Sequence, residues 1–149
     1  MKLTFDSNVL LYAIDSLAGP RHLSAADLLG RAANVDCVLL LQSLGEFFNV
    51  ATRKLRLTPA RAGTVVDRWR AVFPVYAAGE EAFVRAVRLV ETHGLSFWDA
   101  MLWATAKEAG CRFLLSEDLH DGHTLEGVTI VNPFASKNST LLAAVLPPA

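Results

Sequence analysis

Apolar positions along the chain follow two spacings. Short unbroken runs at Lys2–Phe5, Cys37–Leu41, Phe113–Ser116 and Val128–Val131 predict buried strands, with a further one near Val75. Between them the apolar residues recur at three- and four-residue intervals. Ala25, Leu28 and Leu29 make one stripe, and Phe47, Val50 and Ala51 another. Val84, Val87, Leu89 and Val90 make a third, and Met101, Leu102, Thr105 and Ala106 a fourth. Strands alternating with helices, without a hairpin signal of the Asn-Gly type, predict an α/β fold of three layers with a mostly parallel central sheet. Gly30, Gly79, Gly94 and Gly110 are expected to end helices, and Pro59 after Thr58 to open one. Asn132-Pro133 stops the last strand, and Ser139–Leu146 reads as a short apolar helix before Pro147-Pro148.

Composition narrows this picture. The chain has 149 residues, 52% of them hydrophobic, which suits one domain with a sizeable core. A carboxylate at position 6 comes too early for a secretory signal, and no apolar run approaches the roughly 20 residues of a membrane span. Cys37 and Cys111 lie in or beside apolar stretches without zinc-like spacing, so they read as reduced core thiols of a soluble cytoplasmic protein. The net charge of -1 neither demands nor excludes a polyanionic partner.

In open parallel sheets the working crevice lies beyond the carboxyl ends of the strands. Polar residues directly after a strand, or at the start of the next helix, are therefore the ones able to converge. Asp6 ends the first strand and is followed by Ser7 and Asn8, any of which caps a helix well. Glu46 stands in Ser43-Leu-Gly-Glu46, a match to the capping box, and Asp99 repeats the pattern less well in Ser96-Phe-Trp-Asp99. Glu117 and Asp118 follow the strand at Phe113–Ser116, with Asp121 three residues on. Capping and turn chemistry account for each acid singly. They do not account for four strand or helix ends each placing a carboxylate on one side of the sheet. Like charges held within about 4–6 Å cost stability unless a cation offsets them. Hard carboxylate donors suit magnesium, which can hold a phosphodiester, acidify a bound water and steady a leaving oxygen. Trp98 and Trp103 read as core or edge packing. No GxGxxG, P-loop, GxSxG or HExxH motif is present.

The strings Asp6-Ser-Asn-Val-Leu, Glu46-Phe-Phe, Leu95-Ser-Phe-Trp-Asp99-Ala and Leu114-Leu-Ser-Glu-Asp118-Leu, in that order, resemble the PIN-domain family, in particular its VapC-type toxin nucleases. The resemblance runs from about Lys2 to Phe134, so residues 1–134 are expected to form the nuclease-like domain and 135–149 a C-terminal tail. It implies Mg2+ or Mn2+ held by Asp6, Glu46, Asp99 and Asp118, with Ser7 and Asn8 ordering the site. Glu117 and Asp121 stay open as additional acids, Asp118 being the better match. The resemblance further implies endonucleolytic cleavage of RNA, homodimerisation and inhibition by a cognate antitoxin protein. An RNA-processing nuclease without an antitoxin, or a PIN-like module that binds RNA or protein without cleaving, are the alternatives. A phosphatase would want a second Asp at position 8, where Asn stands.

Basic residues concentrate between Arg53 and Arg88, opposed there by Asp67, Glu80 and Glu81 alone. Arg53 and Lys54 lie two helical turns after Glu46 and are the candidates for tracking RNA phosphates.

Overall fold

The computed structural model describes all 149 residues. The strands are β1 (Leu3–Phe5), β2 (Leu39–Leu40), β3 (Val75–Tyr76), β4 (Phe113–Leu115), β5 (Thr124–Leu125) and β6 (Val128–Val131). The helices are α1 (Ser7–Ile14), α2 (Pro20–Ala32), α3 (Leu41–Arg53), α4 (Pro59–Val72), α5 (Glu80–His93), α6 (Phe97–Glu108) and α7 (Ser139–Val145). One sheet has the order β1-β4-β6-β5, and β2 pairs with β3 beside it. A single parallel bridge, Leu3 to Cys37, joins the two. Every strand pair is parallel except β5 with β6.

Alternation along the strands sends side chains to opposite faces. Leu3, Phe5, Phe113, Leu115 and Val131 pack with α1, α2, α3, α4 and α7. Leu114, Val128 and Ile130 pack with α5 and α6. Helices thus cover both faces, giving the expected three layers. Leu142, Val145 and Leu146 bring the C-terminal helix into the first of these cores. Both cysteines are free and buried, and burial pushes the Cys111 thiol up to about 12. No helix is long and apolar enough to cross a membrane.

The local signals are corrected in four places. Gly30 does not end a helix, because α2 runs through it to Ala32. Burial of Leu28, Leu29 and Ala32 outweighs the ~1 kcal/mol a mid-helix glycine costs. Gly79 caps the start of α5 rather than closing a helix, whereas Gly94, at φ +66°, does terminate one. The strand expected at Cys37–Leu41 shrinks to two residues, and Leu41 already belongs to α3. The hairpin β5–β6, finally, carried no Asn-Gly signal. Its two-residue turn is Glu126-Gly127, with φ +50° and +84°, both in the left-handed region that such turns require. Glu126 tolerates it because Arg85 holds its carboxylate at 2.6 Å and Lys107 Nζ donates to its carbonyl at 2.6 Å.

Candidate active site

Strand register makes the first contact. Phe5 pairs with Leu115, and Leu115 with Val131, so the next residues, Asp6 and Ser116, leave the sheet side by side. The ladder extends one step further, through Asp6 N–H to the Leu115 carbonyl at 2.9 Å and Ser116 N–H to the Val131 carbonyl at 3.0 Å. Ser116, fully buried, donates its hydroxyl to Asp6 Oδ2 at 2.7 Å. Asp6 is also the N-cap of α1, where Oδ1 accepts the Ser7 N–H at 2.7 Å. The cap of Asp6 thus uses one oxygen for the helix and leaves the other to Ser116 and Asn8.

Asn8 ties in the fourth expected acid. Its Nδ2 donates to Asp6 Oδ2 at 3.2 Å, Asp118 Oδ2 at 3.1 Å and Ser116 Oγ at 3.3 Å. Its Oδ1 accepts the Glu117 N–H at 3.3 Å, which fixes the amide the right way round. Ser7 Oγ donates to Glu46 Oε2 at 2.9 Å, and Gln42 Nε2 donates to Glu46 Oε1 at 3.0 Å. Glu46 is therefore no capping-box residue. α3 starts at Leu41, Ser43 is buried inside the helix with no hydrogen-bond partner for its hydroxyl, and the Glu46 side chain turns to the site. Gln42 Nε2 also donates to the Trp98 carbonyl at 3.1 Å, which sets the N-terminus of α6 beside Glu46. Ser96 caps that helix, accepting the Asp99 N–H at 3.4 Å, and leaves the exposed Asp99 carboxylate without a protein partner.

Asp121 goes elsewhere. It accepts from the Asn132 N–H at 2.8 Å and from Asn138 Nδ2, and pairs with Lys137 Nζ at 3.0 Å. Glu117 sits at the rim, where Tyr12 Oη donates to Oε1 at 2.8 Å and Arg21 Nε lies 2.6 Å from Oε2. Arg53 and Lys54 are exposed at the far end of α3, about 10 Å along the helix from Glu46. Trp103 packs in the core and donates to the Leu125 carbonyl at 3.1 Å. Trp98, in contrast, is exposed, stacked edge-on against Phe97.

Electrostatics separate these acids. Burial raises the Asp6 carboxyl above its ordinary value; the bonds from Ser116 and Ser7 oppose this, and the nearby Glu46 and Asp118 charges add to it. A carboxylate that keeps its charge among others needs a compensating cation. The donor set is hard oxygen throughout, which fits a divalent ion of the magnesium type. No three His, Cys, Asp or Glu side chains stand at ligand distance from one point.

Ser116, Gln42, Tyr12 and Arg21 were not singled out from sequence. Ser116 had a signal, a polar residue closing an apolar strand just before two acids. Gln42 had a weaker one, its i,i+4 spacing to Glu46.

Residues 3–120 match the PIN-domain family model, and the chain belongs to that family. No functionally curated protein matches it. Among solved structures, the VapC20 toxin of Mycobacterium tuberculosis, described as cleaving the sarcin-ricin loop, superposes with a TM-score of 0.63 at 20% identity, over 78% of this chain and 91% of that one. A toxin–antitoxin complex from Klebsiella pneumoniae gives 0.63 at 23% identity, over 89% and 98%. DNA-bound VapBC from Salmonella typhimurium gives 0.65 at 16% identity, over 87% and 96%. At these identities the likeness is one of fold.

Proposed function

We propose that the chain is a Mg2+- or Mn2+-dependent endoribonuclease of the cytoplasm, the toxin of a type II toxin–antitoxin pair. The observation that carries this reading is the hydrogen-bonded junction of Asp6, Glu46 and Asp118 through Ser7, Asn8 and Ser116, to which Gln42 ties the first turn of α6, the turn that carries Asp99. When bound, the divalent ion supplies charge for the phosphate oxygens and a more acidic water. Asp6, Asp99 and Asp118 are the residues that would hold it. Glu46, fixed from both sides by Ser7 and Gln42, accepts a hydrogen bond from the attacking water and orients it in line with phosphorus. The new P–O bond forms as the bond to the 3′ oxygen breaks, leaving 5′-phosphate and 3′-hydroxyl ends. Positioning and fixed charge carry most of the rate. Ser7 and Asn8 order the acids, and Arg53 and Lys54 meet phosphates further along the RNA strand.

The toxin assignment draws on the family and on the VapC and VapBC structures that share the fold. It implies an antitoxin partner and a homodimer, and the exposed Phe83, Val87 and Trp98 are apolar surface suited to self-association. The test is cleavage of total RNA with and without Mg2+, comparing wild type with Asp99→Ala. Wild type should cut in Mg2+ and stop in EDTA, and Asp99→Ala should lose about 10²-fold or more. Full activity in EDTA overturns the metal assignment.

A further inference from the structure

One cation is wired into the acid cluster. Arg21 lies in the first turn of α2, where the helix dipole disfavours positive charge. Its Nε stands 2.6 Å from Glu117 Oε2, and its guanidinium carbon 4.8 Å from the centre of the Phe134 ring. Tyr12 donates to the other Glu117 oxygen at 2.8 Å and packs edge-on against the same Phe134, so carboxylate and ring are both braced. Glu117 in turn sends its backbone N–H to Asn8, whose amide bridges Asp6 and Asp118. No other Lys or Arg is tied to these acids by a hydrogen bond or ion pair.

The manner of holding is informative. Arg31 spends its terminal nitrogens on Asp27, Leu142 and Leu146, Arg70 turns one to Asp67 and Arg85 one to Glu126. Arg21 is held by the ion pair at Nε and over its flat face, with the Tyr12 hydroxyl also beside its guanidinium, while neither Nη1 nor Nη2 makes a close hydrogen bond to the protein and the side chain is 45% exposed. A side chain serving only to pin Glu117 would do so better with its two-pronged edge. What is left free is the fork that matches two oxygens of a phosphate, with its torsional freedom already restricted.

We propose that Arg21 binds the non-bridging oxygens of an RNA phosphate flanking the scissile one on the Asp118 side, with Glu117, Tyr12 and Phe134 as positioning residues that aim it. This rests on the nuclease reading for its substrate, and it explains why an acid adjacent to Asp118 is turned away from the cluster.

The probe is a short mixed-sequence 2′-O-methyl oligoribonucleotide, in a series in which one phosphate at a time is made a neutral methylphosphonate. Binding is followed by fluorescence anisotropy, and cleavage of the unmodified RNA gives KM and kcat. Arg21→Ala should weaken binding and raise KM by about tenfold, as expected for one charge-assisted contact made equally in ground and transition states, with kcat little changed. It should also flatten the plot of log affinity against log salt by about one phosphate's worth. One methylphosphonate should weaken wild type but not Arg21→Ala. Glu117→Gln and Tyr12→Phe, which unbrace the guanidinium without removing it, should give smaller losses at the same phosphate. Unchanged binding and KM in folded Arg21→Ala, or equal sensitivity of wild type and Arg21→Ala to every methylphosphonate, overturns the proposal. So does a fall in kcat and thermal stability alone, the pattern of a structural pin. A wild type that binds with this phosphate signature yet cuts no RNA would instead sink the nuclease reading and leave the Arg21 assignment standing.

Discussion

Asp6 and Asp121 sit at the same edge of the sheet, and both lose water on folding, yet their surroundings differ in kind. Asp121 is enclosed by donors. Burial alone would raise its carboxyl, but the Asn132 N–H, Lys137 and Asn138 outweigh it and hold the group below the ordinary carboxylate value. For Asp6 burial is the largest influence and raises the carboxyl; the bonds from Ser116 and Ser7 do not offset it, and the nearby Glu46 and Asp118 charges add to it. A carboxylate surrounded by donors is a fastener, here tying the turn after β4 to the chain beyond β6. Asp6 has Ser7, Asn8 and Ser116 as donors, yet the Glu46 and Asp118 charges stand beside it, a repulsion that a cation would offset. Asp118 and Asp121 are only three positions apart, so the distinction cannot be read from proximity in the chain.

The comparison breaks most readily at Asp6. Asp6→Asn should cost about 10²-fold or more in cleavage rate while raising the melting temperature of the metal-free protein, because a repelled charge is removed. Mg2+ should raise the melting temperature of wild type by mass action and that of Asp6→Asn far less. A variant that loses activity by losing its fold would show a lowered melting temperature instead, and would place Asp6 with Asp121. Asp121→Ala should do the reverse. It leaves the Asn132 N–H without its acceptor and the Asn138 amide with the Asn132 carbonyl alone, at a cost of about 1–3 kcal/mol in a denaturant titration, with unchanged kcat/KM for the folded enzyme. Loss of cleavage in folded Asp121→Ala would bring it back among the acids of the site.

A smaller effect sharpens the contrast through pH. Asp6 has a raised pKa in the fold, so its protonated form contributes stability that is complete below the ordinary carboxylate value and is lost as pH rises through the folded pKa. Asp121 has a lowered pKa, so its contribution is present above the ordinary value and is lost as pH falls through the folded one. In metal-free melts across the acid range, the advantage of Asp6→Asn over wild type should therefore widen with rising pH. The deficit of Asp121→Asn should widen over the same direction. Parallel curves for the two variants would remove the electrostatic distinction between them.

Much of the fold was legible. The period of the apolar positions located β1, β4 and β6 and the helices between the strands, because that period is a local property that tertiary packing then uses. The antiparallel β5 was not legible. Its turn puts a glutamate at positive φ, and what supports that conformation is Arg85 and Lys107 on α5 and α6, beyond the reach of any turn rule. The acids were legible as a set and ambiguous one by one. Ser43-x-x-Glu46 and Ser96-x-x-Asp99 look alike as strings, yet Ser96 caps α6 and Ser43 lies buried within α3. Where α3 begins depends on β2 giving out at Leu40, a matter of sheet pairing rather than of helix propensity.

What the chain determines by itself is which residues arrive at the carboxyl edge of the sheet: an acid after β1, one in the second turn of α3, one in the first turn of α6, and a run of acids after β4. Hydrophobic burial at period two and period 3.6 suffices for that, since it fixes where each element stops. Which of those acids face one another is decided by register and packing. Asp6 meets Ser116 across 110 positions of sequence because Phe5 lies opposite Leu115, and a slip of one residue would send both to the other face. The same long-range placement turns Asp121 into a fastener, brings Glu46 to Ser7 beside Asp6, and sets Arg21 against Glu117 and Phe134. Each of those outcomes is set by the partners a charged group finds, and partners brought together by folding have no signature in the local sequence.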